Sequence, residues 1–251
     1  MTKIYLTIDD SPSPRTDDLC DYLVKHHIPA LFFCRGDFLE ENRKPVIRAI
    51  EQGLDIGAHG YFHRRAGDMS FDEVCESISR CDSLIEDCYK QARTPRPGKY
   101  FRFPYIDRGD GDPLERRFFG LIEMAQRGKE PDIADHENVT RLQDYLDKEG
   151  FTQPFENILH PLYSVPKIRD AKDCLFTYST ADWMLTARHK GKHPLSSIED
   201  LKQKMDDDPW LFKGPGAQIA LIHDADEIFD VSRSLVNHML ARGVSFKRIK
   251  I

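Results

Sequence analysis

The chain has 251 residues, enough for one large α/β domain or two small ones. Its formal net charge is −6 and its mean hydropathy −0.55, so it offers no overall basic field for nucleic acid or an anionic membrane surface. It contains no apolar run of the roughly 20 residues that a membrane-spanning helix needs.

The first predicted strand, Ile4-Tyr5-Leu6, begins so close to Met1 that no leader peptide is expected. It runs into Thr7-Ile8-Asp9-Asp10-Ser11-Pro12, a strand end carrying adjacent carboxylates, closed by the turn signals of residues 11–14. Two such charges repel unless a cation lies between them, so the pair asks for a metal or an arginine. The plainer alternative is a cluster of helix-capping side chains. Residues 16–27 have helical spacing, with Leu19, Leu23 and Val24 on one side. Ala30-Leu31-Phe32-Phe33-Cys34 is an uninterrupted apolar strand, which suits a parallel sheet covered on both faces.

Residues 45–52 predict a short helix closed by Gly53. Residues 54–58 predict a third strand with His59 directly after it. Ser70 and Glu73 make a capping box for a long helix to about residue 90. That helix carries Cys75, Cys81 and Cys88 on roughly the same face as Val74, Ile78 and Ile85. This reads as core thiols rather than a disulfide framework, and with the missing leader it places the expectation in a reducing, cytoplasmic compartment.

Tyr100-Phe101-Arg102-Phe103 predicts a fourth strand, stopped by Pro104. From 107 to 170 the pattern changes to a Gly- and Asp-rich start followed by helical segments at 113–127 and 138–149, expected as an insertion on the core. The core resumes with a strand at 174–178, a helix to about residue 205 capped by Ser196 and Glu199, and a buried strand at 218–222 followed by His223. A helix at 228–241 and a closing strand at 244–247 complete it. Strands and helices alternate throughout, which argues for parallel βαβ units in one domain, residues 1–251.

Polar residues with chemistry stand at the predicted strand ends: Asp9 and Asp10, His59, Arg102, and His223, with Asp182 just past another strand. In parallel α/β folds those ends form the active face. His59-Gly60-Tyr61-Phe62-His63 puts two imidazoles one helical turn apart, a spacing able to chelate a tetrahedral ion, and a carboxylate from Asp10 would complete the set. His189 and His193 have the same spacing but sit among Arg188, Lys190 and Lys192, which disfavours a divalent metal, so they read as a solvated loop.

On these residues the chain resembles the polysaccharide deacetylases of the NodB-homology family, carbohydrate esterases that remove N-acetyl groups from amino sugars. The motifs appear in order from Thr7 to His223: Thr7-Ile8-Asp9-Asp10-Ser11-Pro12, His59 to His63, Arg102-Phe103-Pro104-Tyr105, Asp182-Trp183 and Leu221-Ile222-His223. The resemblance implies a distorted (β/α) barrel of about seven parallel strands, fewer than the full eight. It implies a divalent metal, zinc above all, on Asp10, His59 and His63, with Asp9 as general base and His223 as general acid. Arg102 would hold Asp9 or Asp182 ionised. Asp182 would orient His223 and raise its pKa. Pro104 and Tyr105 would wall the groove, with the Tyr105 N–H offered to the oxyanion, while Trp183 and Leu221 would line a slot for the acetyl methyl.

The implied substrate is an N-acetylated oligo- or polysaccharide. The chain departs from the family at Ser11, Gly60, Ile106 and Ser179, where glycine, a hydroxyl residue, glycine and an acidic residue are usual. Two other readings are a hydrolase of a different amide on the same fold, of the cyclic-ureide type, and a carbohydrate-binding protein without turnover. The intact Asp10, His59 and His63 argue against the first, and the intact Asp9 and His223 against the second.

Overall fold

A computed structural model describes residues 2–111, 120–125, 127–129 and 136–250. The apolar runs form a parallel sheet of β1 (Lys3–Ser11), β2 (Ala30–Cys34), β3 (Asp55–Ala58), β4 (Tyr178–Ser179) and β5 (Ala217–His223), in the order β3-β2-β1-β5-β4. The sixth strand, β6 (Ser245–Phe246), pairs with β1 at Lys3 and Ile4, below the point where β2 joins. Phe101 bridges to Ala58 beyond β3, and the Cys174 N–H donates to the Phe101 carbonyl at 2.6 Å. Three residues later the Thr177 N–H reaches the Ile219 carbonyl of β5 at 2.9 Å. Residues 174–179 thus join both edges and close the sheet into the expected distorted barrel.

The predicted fourth strand is reduced to that one bridge. Pro95, Pro97 and Pro104 flank it and lack the N–H a longer ladder needs. The predicted strand at 174–178 is likewise short, because its upstream half turns to meet Phe101.

Alternation along the strands sorts side chains between two layers. Tyr5, Leu31, Phe33, Phe176, Ile219 and Leu221 pack together inside the barrel. Leu6, Ile8, Phe32 and Ile56 face outward against α1 (Thr16–Lys25), α3 (Lys44–Glu51) and α4 (Phe71–Gln91). Each such side chain contributes about 1.5–3 kcal/mol on burial. A short helix, α2 (Gly36–Glu41), follows β2 and was not expected.

The Ser70–Glu73 capping box is present with both reciprocal bonds. The next predicted cap is shifted by one: Ser197, not Ser196, caps α7 (Ile198–Asp207), with Asp200 as its partner. The region 107–170 shares the core. Leu142 and Leu146 of α5 (Glu137–Lys148), with Phe151, join the outer layer, and Leu162 and Ile168 join the inner one. Of the predicted helix at 113–127, residues 120–125 are helical and most of the rest lies outside the described residues. α6 (Pro166–Arg169) and α8 (Phe229–Ala241) complete the helices named here. No helix among the described residues is long and apolar enough to cross a membrane.

All six cysteines are free; Cys75 is half-buried and the others are buried. Thiol titration after denaturation, without reductant, is expected to recover all six, and recovery of four or fewer would contradict this packing.

Candidate active site

The register of the sheet assembles the site. Asp9 of β1 stands opposite His223 of β5 and Phe33 of β2. The β1–β2 register then shifts between Asp9 and Ser11, so Asp10 is unpaired and takes a left-handed backbone with φ 69°. A bulge of this kind breaks the pleat that would send neighbouring side chains to opposite faces. Both carboxylates therefore line one cleft of about 500 Å³ at the carboxyl ends of the strands. His59, His63, Tyr105, Trp183, Leu221 and His223 line it too.

The ligand atoms of Asp10, His59 and His63 all lie within 4.8 Å of one another. His59 is buried and its Nδ1–H donates to the Arg102 carbonyl at 2.8 Å, which leaves the Nε2 lone pair facing the carboxylates. Burial, only partly offset by Asp9, lowers its pKa to about 4, so the imidazole is neutral, the form that ligates. His63 Nε2 stands 3.0 Å from Asp10 Oδ1, yet that buried oxygen has no partner of good hydrogen-bond geometry. Burial raises the Asp10 pKa, but His63 first and then His59 and His223 hold it well below the usual carboxylate range. Two nitrogen donors, one carboxylate oxygen and an orphaned lone pair aimed at a common point fit a tetrahedral divalent ion.

Arg102 lies across the floor, fully buried. Its Nη1 donates to Asp9 Oδ1 at 2.8 Å and to Thr7 Oγ1 at 3.0 Å, and its Nε to the Cys174 carbonyl at 2.7 Å. Its guanidinium also sits over the Phe33 ring, 4.3 Å from the centroid. It pairs with Asp9 and not with Asp182. Asp182 instead serves His223, whose Nδ1–H donates to Asp182 Oδ1 at 2.7 Å and whose backbone N–H donates to Oδ2 at 2.7 Å. Burial lowers the His223 pKa, but the charge of Asp182 above all, with smaller contributions from Asp10 and Asp9, raises it to about 9.

Several contributors were not visible in the sequence. Ser232 of α8 donates to Asp182 Oδ2 at 3.0 Å, bracing the carboxylate from behind. Asp224 accepts from the Ser13 hydroxyl at 2.6 Å and from Thr16, tying the first loop to the end of β5. Gly60, with φ 72°, stands where the family carries a hydroxyl; a Cβ there would meet Ser77 Oγ at 3.3 Å. Ser77, from α4, accepts the Tyr61 N–H at 2.7 Å, so a hydroxyl from the neighbouring helix braces the loop between His59 and His63. Ser77→Ala would leave that N–H without its acceptor, so a loss of about 1–3 kcal/mol of stability is expected, with weaker metal binding. Unchanged melting and metal affinity would refute this role.

Ile106, where the family favours glycine, holds φ 56° next to Tyr105 at φ 55°, a conformation that costs a β-branched residue energy. The His189–His193 loop is exposed over much of its length but not detached: both imidazoles meet Trp183 in T-shaped contacts, at 5.0 and 4.9 Å between centroids, and line the cleft.

Residues 2–111 match the family model described as polysaccharide deacetylase. A chitooligosaccharide deacetylase of Bradyrhizobium sp. (strain ANU 289) is 30% identical over 103 residues, covering 41% of this chain and 45% of that protein. The peptidoglycan-N-acetylglucosamine deacetylase PgdA of Listeria monocytogenes is 33% identical over 86 residues, covering 34% of this chain and 18% of that one. The matches thus span less than half the length of these relatives. Among solved structures, a family 4 carbohydrate esterase from Streptomyces lividans, in complex with acetate, superposes with a TM-score of 0.60 at 15% identity, covering 98% of this chain and 91% of that one, a likeness of fold. On its matched residues, its motifs and its fold, the chain is similar to the polysaccharide deacetylases.

Proposed function

We propose that this protein is a metal-dependent hydrolase that removes an N-acetyl group from an amino sugar in an oligo- or polysaccharide. The observation that carries this reading is the convergence of Asp9, Asp10, His59, His63 and the Asp182–His223 pair on one cleft. Asp10, His59 and His63 would hold a divalent ion, zinc by donor set, whose chemistry is to polarise the acyl carbonyl and acidify water. Asp9, held by Arg102, takes a proton from the attacking water. His223, protonated and oriented by Asp182, gives a proton to the departing nitrogen. The acyl C–N bond breaks, and acetate and the free amine leave. Leu221 and Trp183 would pack on the acetyl methyl, and the Tyr105 N–H would face the oxyanion.

A binding protein has no use for a carboxylate-braced imidazolium beside a candidate base, and a hydrolase of another amide would share the machinery but not the sugar. The experiment is acetate release from N-acetylglucosamine oligomers, with metal per chain measured before chelation, after it, and after zinc is restored. One ion per chain and activity that follows the ion are expected. Turnover by metal-free protein, or metal held at His189 and His193, would overturn the assignment. Oligosaccharide binding without acetate release would favour the binding protein.

A further inference from the structure

We propose that the preferred substrate is anionic, an amino sugar or oligomer carrying a carboxylate, sulfate or phosphate close to the N-acyl group. This rests on the function proposed above and narrows its substrate. The chain as a whole is acidic, at −6, yet three arginines, Arg35, Arg65 and Arg188, line the cleft beside Asp9, Asp10 and Glu227. Arg65, following the His59–His63 loop, lies half-buried with its guanidinium over the Tyr105 ring at 4.6 Å, and Tyr105 in turn stacks on His63 at 4.6 Å. Arg65 is therefore held one aromatic ring away from a ligand of the candidate metal site. From another loop, Arg188 lines the same cleft beside His189 and His193.

Residues 186–195 contain Arg188, Lys190 and Lys192 and no acidic residue. None of Arg65, Arg188, Lys190 and Lys192 forms an ion pair among the described residues, whereas Arg35, also on the rim, is already matched by Asp37 at 2.7 Å.

Asp9, Asp10 and Glu227 also line the cleft, and each has a partner. Asp9 is paired with Arg102, Asp10 lies between imidazoles, and Glu227 accepts the Ala187 N–H at 2.6 Å, which pins the cationic loop in place. Burial first, then the nearby Arg188, His193 and Lys192, push the His189 imidazole below its ordinary pKa, against the opposing charge of Glu227. A guanidinium fork suits a carboxylate, sulfate or phosphate better than a neutral hydroxyl. Loose surface lysines and arginines are usually just a solvated face. The stacking of Arg65 and the tethering of the 186–193 loop place Arg65 and Arg188 at the mouth of the cleft instead.

The test compares kcat/KM of the metal-loaded protein on a neutral N-acetylglucosamine oligomer with oligomers bearing a lactyl-ether carboxylate, an O-sulfate or an O-phosphate. At least one anionic substrate should be preferred by about 10–100-fold, the worth of a charge-assisted hydrogen bond. The preference should shrink as salt is raised, and fall toward one in Arg65→Gln and Arg188→Gln. The three arms identify which anion the site accepts. Equal kcat/KM on all four substrates would overturn the inference, as would a preference that survives both substitutions. If none of the four releases acetate, the hydrolase reading fails. Calorimetric binding of the same four oligomers then decides the charge inference, with equal affinities counting against it.

Discussion

Asp9→Asn is expected to slow deacetylation by about 10²–10⁴-fold, the usual worth of a positioned proton carrier, while the protein still binds one divalent ion. Asn keeps the size of the side chain and can still accept one hydrogen bond from Arg102, but it cannot take a proton from water. The ligand set of Asp10, His59 and His63 is untouched. The substitution also has a structural cost. Arg102 is buried, and Asp9 is the carboxylate it pairs with; its other partners are the Thr7 hydroxyl, the Cys174 carbonyl and aromatic rings. Removing one member of a buried ion pair typically costs about 3–5 kcal/mol, which for a chain of this size is roughly 6–20 °C in Tm.

A double variant, Asp9→Asn with Arg102→Met, separates the two effects. It should recover part of the lost stability, because the stranded charge is gone, and none of the activity. Metal content, kcat and thermal melting of the three proteins provide the check. Near-parental turnover by metal-loaded Asp9→Asn would remove Asp9 from the mechanism.

The residues of this site were legible because the chemistry stands at strand ends, where short apolar runs stop abruptly at Asp9, His59, Arg102 and His223. Parallel strands bring those ends to one face whatever the loops do. The way Asp9 and Asp10 come to share a cleft was less visible, since it depends on a register shift between β1 and β2 that belongs to the pair of strands and not to either alone. Ser77 and Ser232 were not legible at all. Each is one hydroxyl on a long helix, and its role exists only once α4 and α8 have packed against the sheet. The His189–His193 loop was read only in part, for a related reason: most of it is exposed, as expected, but its two imidazoles are half-buried. Its local charges are plain in the sequence, but its place against Trp183 is fixed by a turn bond from Thr186 to the Trp183 carbonyl and a tertiary one from the Ala187 N–H to Glu227. The fourth strand and the helix at 198–207 show the ordinary limits of local signals. Prolines cut the one to a single bridge, and adjacent serines left the cap of the other uncertain by a residue.

Asp182→Asn is expected to lower activity by about 10²–10⁴-fold and to move the alkaline limb of the pH profile toward acid. In the parent, Asp182 accepts from four donors: His223 Nδ1, the His223 and Trp183 backbone N–H groups, and the Ser232 hydroxyl. An amide in its place would turn an NH₂ toward one of these donors and loosen the imidazole. It would also remove the largest influence that raises the His223 pKa from 6.5 to about 9. Burial would then be opposed only by the weaker Asp10 and Asp9, so the proton would be lost at lower pH. A bound divalent ion screens Asp10 and Asp9, and the alkaline limb of the loaded parent should therefore fall somewhat below 9.

The same linkage governs stability. A pKa raised on folding means the His223–Asp182 pair stabilises the fold fully below pH 6.5, and its contribution is lost as pH rises through about 9. The stability difference between parent and Asp182→Asn should accordingly narrow across that window. Combining Asp182→Asn with His223→Ala should cost little more activity than His223→Ala alone, because the carboxylate acts through the imidazole. A pH profile unmoved by Asp182→Asn, or losses that add in full, would show that Asp182 does not set the proton on His223.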